Sequence, residues 1–265
     1  MEELIFIKLG GSVITKPSPY TPDIERIDLL LKEIKDSMND KKVIIGHGGG
    51  SFPHIPAKEY QVNLGLVNEK SRYGASLTQH AAAQLHRIVF DEMLKIGFEP
   101  ISFPPSAGVI TKKGKIINWN IEPIKLALSK GFSIVTYGDL GIDEDQGVSI
   151  VSTEEAFRYL ANELRPSKVI LIGDVDGVFD KDPNKFKDAN LIKEINKDNI
   201  NSVLNLTSGS AKIADVTGGM KTKLSILYDI VISTGAIGYI ANGSRQGVIK
   251  NILEDKDDIY TKVVK

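Results

Sequence analysis

The chain has no cysteine, one tryptophan and four methionines in 265 residues. Without cysteine there is no disulfide framework and no thiolate metal site, as expected of a protein kept in the reducing cytoplasm. Nowhere do about 18 apolar residues run together, as a membrane span requires. Met1-Glu2-Glu3-Leu4 leads straight into a strand pattern rather than a basic and then apolar leader, so no export signal is expected and the chain reads as soluble. An excess of one charge is missing as well: 33 basic residues stand against 34 acidic ones, a net charge of −1. No global field therefore draws the chain to nucleic acid or to an anionic membrane, and any cationic site has to be local. Two familiar nucleotide signatures are absent, the Walker P-loop and the strict Gly-x-Gly-x-x-Gly fingerprint. There is no internal repeat and no low-complexity tract.

What is present is an alternation. Short β-rich runs at 4–9, 42–45, 101–103, 133–137, 168–172 and 237–241 are separated by longer helix-like stretches. That order predicts an α/β fold, an open and mainly parallel sheet sandwiched between helices. The stretch 74–96 carries Leu77, Ala81, Leu85, Ile88 and Leu94, the stripe of an amphipathic helix. Residues 108–118 read as a hairpin projecting from the sheet, with Val109-Ile110 and Ile116-Ile117 flanking Lys112-Lys113-Gly114-Lys115. The charged run 254–258 reads as solvated surface. Four strand ends meet glycine at once, at Gly10, Gly46, Gly138 and Gly173, and such turns converge on one crevice at the carboxyl edge of an open sheet.

Three glycine turns carry the chemistry: Lys8-Leu9-Gly10-Gly11-Ser12, Gly46-His47-Gly48-Gly49-Gly50-Ser51-Phe52-Pro53-His54, and Thr217-Gly218-Gly219-Met220-Lys221-Thr222-Lys223. Glycine lets a backbone approach a bulky anion with its N–H groups turned outward. Lysines beside two of these turns supply the charge needed to bring two phosphates together, since like charges about 4 Å apart repel by roughly 4 kcal/mol per unit pair at an effective dielectric near 20. The pattern reads as a site that grips several phosphates at once.

These segments resemble the amino acid kinase superfamily and, within it, the isopentenyl phosphate kinases. The likeness covers nearly the whole chain and rests on Lys8 to Thr15, on Gly48-Gly49-Gly50-Ser51-Phe52 with His54, on Ser102-Phe103-Pro104-Pro105-Ser106, on Tyr137-Gly138-Asp139, on Gly173 to Phe179 and on Thr217 to Met220. It implies one amino acid kinase domain of αβα type over 1–265, with an acceptor-binding and dimerisation lobe at 1–172 and a nucleotide lobe at 173–265. It also implies ATP with Mg2+, a small isoprenoid monophosphate as acceptor, and a homodimer.

The resemblance assigns Lys8 and Lys223 to the transferring phosphoryl group, with Lys16 matching a further N-terminal lysine. Gly10, Gly11 and Ser12 cradle the ATP phosphates, Gly49 and Gly50 serve the acceptor and donor phosphates, His54 bonds the acceptor phosphate, whose charge favours the protonated imidazole, and Gly219 opens the nucleotide-side helix that carries Lys223. Asp174, Asp176, Gly177 and Asp182 line the nucleotide; the three aspartates suit turn chemistry equally well. The family's Ser-Gly-Asp-Asp is here Ser152-Thr153-Glu154-Glu155, which sets Thr153 at the substrate and makes Glu154 the carboxylate that orients the lysines. Pro53 stands where glycine is usual, and an aspartate after Thr15 is missing.

Other readings stay open on the residues alone. A carboxylate kinase of the same fold needs an arginine at the substrate, for which Arg72, Arg87 and Arg158 are available. A binding module without catalysis is motivated by Thr153-Glu154. His47 is divided between a loop hydrogen bond and the site. His80 and His86 do not share a helix face and read as structural rather than as a zinc pair. An apolar tail could lie against residues near Tyr73, Leu77 and Ala81. Replacing Lys8 or Lys223 by alanine is expected to remove activity and spare the fold.

Overall fold

The computed structural model describes residues 3–183, 185–206 and 219–265. Its strands are β1 (Leu4–Leu9), β2 (Lys42–His47), β3 (Pro100–Ser102), β4 (Ile110–Lys112), β5 (Lys115–Asn118), β6 (Ser133–Tyr137), β7 (Asp139–Asp143), β8 (Gly147–Val151), β9 (Lys168–Gly173), β10 (Glu194–Ile195), β11 (Ile237–Asn242) and β12 (Tyr260–Val263). The helices are α1 (Gly11–Ile14), α2 (Ile24–Met38), α3 (His54–Glu59), α4 (Ser71–Ile96), α5 (Glu122–Ser129), α6 (Thr153–Leu164), α7 (Ile200–Leu206), α8 (Gly219–Thr234) and α9 (Val248–Leu253).

Eight strands form one sheet in the order β10-β12-β11-β9-β1-β2-β6-β3. The run from β11 to β3 is parallel throughout, and only β12 is set antiparallel against β11. The apolar continuity of β1 and β9 follows from burial on both faces. Ile5, Ile7, Leu9, Val43, Ile45 and Ile170 pack into a layer with Leu31 and Ile34 of α2 and Leu85 and Val89 of α4. Their alternates Phe6, Ile44, Ile134 and Val169 pack with Phe157 and Leu160 of α6 and Leu224 and Leu227 of α8. Period-two alternation thus feeds two helical layers from one set of strands, which is the αβα sandwich expected. Both layers draw on residues before and after Ile172.

The hairpin expected at 108–118 is β4 and β5, turning at Lys113 (φ 49°) and Gly114 (φ 77°), the left-handed pair of a tight hairpin turn. It belongs to a second sheet, β5-β4-β7-β8. Neither β7 nor β8 is among the runs legible in the sequence; in β7, Asp139, Gly141 and Asp143 break the apolar alternation. Asp143 is buried there as a staple, its Oδ1 taking the N–H groups of Asp145 and Gln146 and its Oδ2 that of Gly114. These bonds hold its carboxyl down at about 2 against the opposing push of burial.

Helix α4 ends at Gly97 in the left-handed conformation (φ 88°). Its buried face runs through Ala75, Thr78, Ala82, Leu85, Val89 and Met93. Leu94 is 52% exposed, because a step of six residues from Ile88 rotates it well off that face at 100° per residue. Among the described residues no helix is long and apolar enough to cross a membrane.

Candidate active site

The carboxyl ends of β1, β2, β6 and β9 open onto one cavity of about 1390 Å3. Gly10, Gly138 and Gly173 line it as expected of strand-end turns. Gly46 does not, because it lies inside β2, in register with Lys8 of β1 and Thr136 of β6. A Cβ at Gly46 would stand 2.4 Å from Thr153 Cγ2 and 2.8 Å from the Phe157 ring, so this glycine lets α6 lie flat on the sheet.

The two N-terminal glycine loops interlock backbone to backbone. A Cβ on Gly11 would fall 2.2 Å from Gly50 N, and one on Gly50 (φ 52°) would fall 2.6 Å from Gly11 O. Thr15 ties them together, its hydroxyl donating to Gly11 O at 2.8 Å and accepting from Ser51 N at 3.2 Å. Thr15 and Ser51 carried no signal of their own in the sequence beyond adjacency to the glycines. Pro53 fits this arrangement: at φ −74° it precedes the first residue of α3, where an N–H is not needed, and its ring lies over Gly49.

Lys8, Lys16, Gly49, His54, Thr153, Glu154, Asp174, Gly177, Asp182, Gly219 and Lys223 all line the same cavity, as do Gly11, Ser12 and Gly50. Thr217 and Gly218 of the third turn lie outside the described residues. Asp176 is not part of the lining; its carboxylate accepts from Asn242 Nδ2 at 2.9 Å and sits 3.8 Å from Arg245. Thr153 is buried with its hydroxyl committed to the His47 carbonyl at 2.7 Å.

Lys8 pairs directly with Glu154, the second residue of α6. Burial pushes the Glu154 carboxyl up, yet the charge and hydrogen bond of Lys8, with Lys223 adding to them, hold it below the ordinary carboxylate range. Glu154 thus reaches the lysine of the strand that α6 packs against. Its neighbour Glu155 is used elsewhere, accepting from Ile116 N and gripping Arg158 through two hydrogen bonds. Among the described residues no arginine lines the cavity, and Arg87 faces Asp91 at 4.0 Å on the outer side of α4.

Ile55, Ala57, Thr78, Ala82 and Ile150 also line the cavity. Of the stretch near Tyr73, Leu77 and Ala81, it is Thr78 and Ala82 that line the cavity, whereas Tyr73 is 61% exposed and Ala81 packs in the layer shared with α2. Asp139 also lines the cavity. Its Oδ2 accepts from Ser106 N at 3.0 Å, its Oδ1 has no partner among the described residues, and burial pushes its carboxyl up.

The sequence model described as "Amino acid kinase family" matches residues 3–242. The chain is 34% identical to an isopentenyl phosphate kinase of Methanothermobacter thermautotrophicus, with 98% of each chain covered. It is 32% identical to the isopentenyl phosphate kinase of Methanocaldococcus jannaschii, covering 94% of this chain and 95% of that one. A solved isopentenyl phosphate kinase superposes with a TM-score of 0.82 at 29% identity, covering 98% of this chain and all of the other.

Proposed function

This chain belongs to the amino acid kinase family, and from that premise we propose that it transfers the γ-phosphoryl group of ATP to isopentenyl phosphate, giving isopentenyl diphosphate and ADP. The observation that carries this reading is the union of Lys8, Lys223 and His54 on one cavity that Ile55, Ala57, Ala82 and Ile150 also line. A phosphate head with a short hydrocarbon tail matches both kinds of lining. The carboxylate-kinase alternative lacks its requirement, an arginine among the described lining residues.

In the reaction an oxygen of the acceptor phosphate forms a bond to the γ-phosphorus as the bond to the β-bridging oxygen breaks and ADP leaves. The acceptor is already an anion, so no general base is needed, and the work is positioning and charge stabilisation. Lys8 of β1 and Lys223 of α8 both line the cavity, where they offset the repulsion between donor and acceptor. Glu154 keeps Lys8 in place. His54 opens α3 beside the glycine loop and holds the acceptor phosphate, a positioning role. The 1–172 side of the cavity takes the acceptor, and Asp174, Gly177, Asp182 and Gly219 face the nucleotide.

Magnesium belongs to this reading as a companion of ATP, neutralising its phosphate oxygens. Among the described residues no group of three His, Asp or Glu side chains could hold a metal ion, so the donor set fits delivery of the ion with the nucleotide rather than a protein cage. A homodimer in the cytoplasm completes the proposal, and light scattering measures the assembly.

The test is ADP release from Mg-ATP with isopentenyl phosphate, dimethylallyl phosphate, geranyl phosphate, fosfomycin, acetylglutamate, aspartate and uridine monophosphate. Preference for isopentenyl phosphate is expected. Turnover of an amino acid in its place, trapped as a hydroxamate, would overturn the assignment.

A further inference from the structure

The glycine loop at the phosphate end of the cavity is anchored from behind by side chains that do not line it. His47, the last residue of β2, is 1% exposed, and His86 on α4 is 8% exposed. His47 Nδ1 lies 3.1 Å from the Gly48 carbonyl oxygen, and His47 Nε2 lies 3.1 Å from His86 Nδ1. His86 Nε2 lies 2.7 Å from Ser102 Oγ. A carbonyl oxygen can only accept, so His47 Nδ1 carries the proton. Burial, with Lys8 adding to it, brings His47 down to about 4, and burial with His47 and Arg87 brings His86 down to about 3, so both rings are neutral at pH 7.

Neutrality fixes the rest of the chain. His47 Nε2 accepts from His86 Nδ1–H, and His86 Nε2 accepts the Ser102 hydroxyl proton. One carbonyl oxygen therefore sets two tautomers and a hydroxyl rotor in series. The Tyr137 ring lies on this pair, 4.2 Å from His86 and 5.4 Å from His47 between centroids and nearly parallel to both. The main chain of His47 extends the clamp, because its carbonyl oxygen accepts from Thr153 Oγ1 at 2.7 Å and Gly138 N at 3.0 Å. The residue that orients Gly48 thus also holds the first turn of α6, one position before Glu154.

We propose that the Ser102–His86–His47 chain is a positioning device for phosphoryl transfer, holding the Gly48 carbonyl, and with it the backbone of Gly49 and Gly50, in register with Gly11 and with the Lys8–Glu154 pair. Three successive glycines have no side chains with which to hold themselves, and ordering them costs more conformational entropy than any other sequence. A fixed hydrogen-bonded support behind the loop means that this ordering is complete before the phosphates arrive. The inference rests on reading the cavity as a kinase site.

The first test needs no variant and no acceptor. Nitrogen-15 NMR of histidine-labelled protein at pH 7 is expected to show His47 and His86 as neutral Nδ1–H tautomers, the minor form of imidazole in water; an Nε2–H ring or an imidazolium at either position would overturn the relay. The second compares His47→Asn, which keeps a donor for the Gly48 carbonyl and loses the ring, with His47→Phe, which keeps the stacked ring and loses both hydrogen bonds. The Phe variant is expected to have a kcat about tenfold below that of the Asn variant, with a smaller difference in acceptor KM. A Phe variant as active as the Asn variant would make His47 a packing residue. Should the wild-type protein leave isopentenyl phosphate untouched, the functional reading falls by itself. Mg-ATP affinity then decides the relay: weaker binding by the Phe than by the Asn variant supports it, and equal affinities overturn it.

Discussion

Lys8 and Glu154 stand 146 residues apart in the sequence and meet as an ion pair whose side chains are only 9% and 6% exposed. The pair joins the central strand to the first turn of α6, so the residue offered to the phosphates is held by a carboxylate from another element. Removing Lys8 takes from the buried Glu154 its hydrogen-bonded partner and the foremost charge that holds its carboxyl down, leaving Lys223 as the remaining offset. Lys8→Met is therefore expected to abolish turnover and also to cost about 3–5 kcal/mol of stability, whereas Lys8→Met combined with Glu154→Leu recovers most of that stability and no activity. Urea unfolding of both proteins measures this, and a single variant as stable as the wild type would refute it.

His54→Ala is expected to raise the acceptor KM and lower kcat while leaving the KM for ATP nearly unchanged. A hydrogen bond to a charged group contributes about 1.5–3 kcal/mol, which corresponds to roughly a 10- to 100-fold loss in kcat/KM. Steady-state kinetics with each substrate varied in turn reads the split. An effect confined to ATP would place His54 on the wrong phosphate.

Gly46→Ala tests the seating of α6. The new methyl would meet Thr153 Cγ2 and the Phe157 ring, neither of which is a flexible end. Overpacking of this kind costs about 1–3 kcal/mol, and the relief available is to push α6 off the sheet, which moves Glu154. Lower Tm together with lower kcat is expected; an unchanged kcat would show that Glu154 is positioned independently of the helix seat.

Stability should fall on mild acidification. His47 and His86 have folded pKa values near 4 and 3, below the unfolded value of 6.5. The unfolded chain binds protons first, so the contribution of these residues is complete above pH 6.5 and is lost as the pH falls from there through the folded values. At about 1.36 kcal/mol per pKa unit, His47 alone contributes about 3 kcal/mol across that window. Unfolding free energies at pH 7.5 and 5.5, compared with those of a His47→Phe and His86→Phe double variant, separate the histidines from the carboxylates common to both proteins. Parallel pH slopes in the two proteins would refute this account.

The sequence by itself determined the class of fold and the character of the site. Apolar runs of strand length between amphipathic stretches dictate a two-sided parallel sheet, because strands such as β1 and β9 are buried on both faces only when helices cover each. Glycine-rich turns after such strands, with Lys8, His54 and Lys223 beside them, already specify a phosphate-binding edge, since these signals are local and chemical. The tertiary structure decided the partnerships. A buried lysine has many possible carboxylates, and only the seating of α6 on Gly46 delivers Glu154 to Lys8. Asp174 and Asp176 read alike in the chain, yet Asn242 and Arg245 draw the second away from the cavity. The stripe on α4 was legible as a helix but not as a face, because a small shift in phase exchanges Ala81 for Ala82 on the cavity wall. His86 looked like ordinary packing until β2 brought His47 within 3.1 Å of it. Periodicity and motif are properties of neighbours in sequence, whereas ion pairs, tautomers and cavity walls depend on distances between elements that only packing sets.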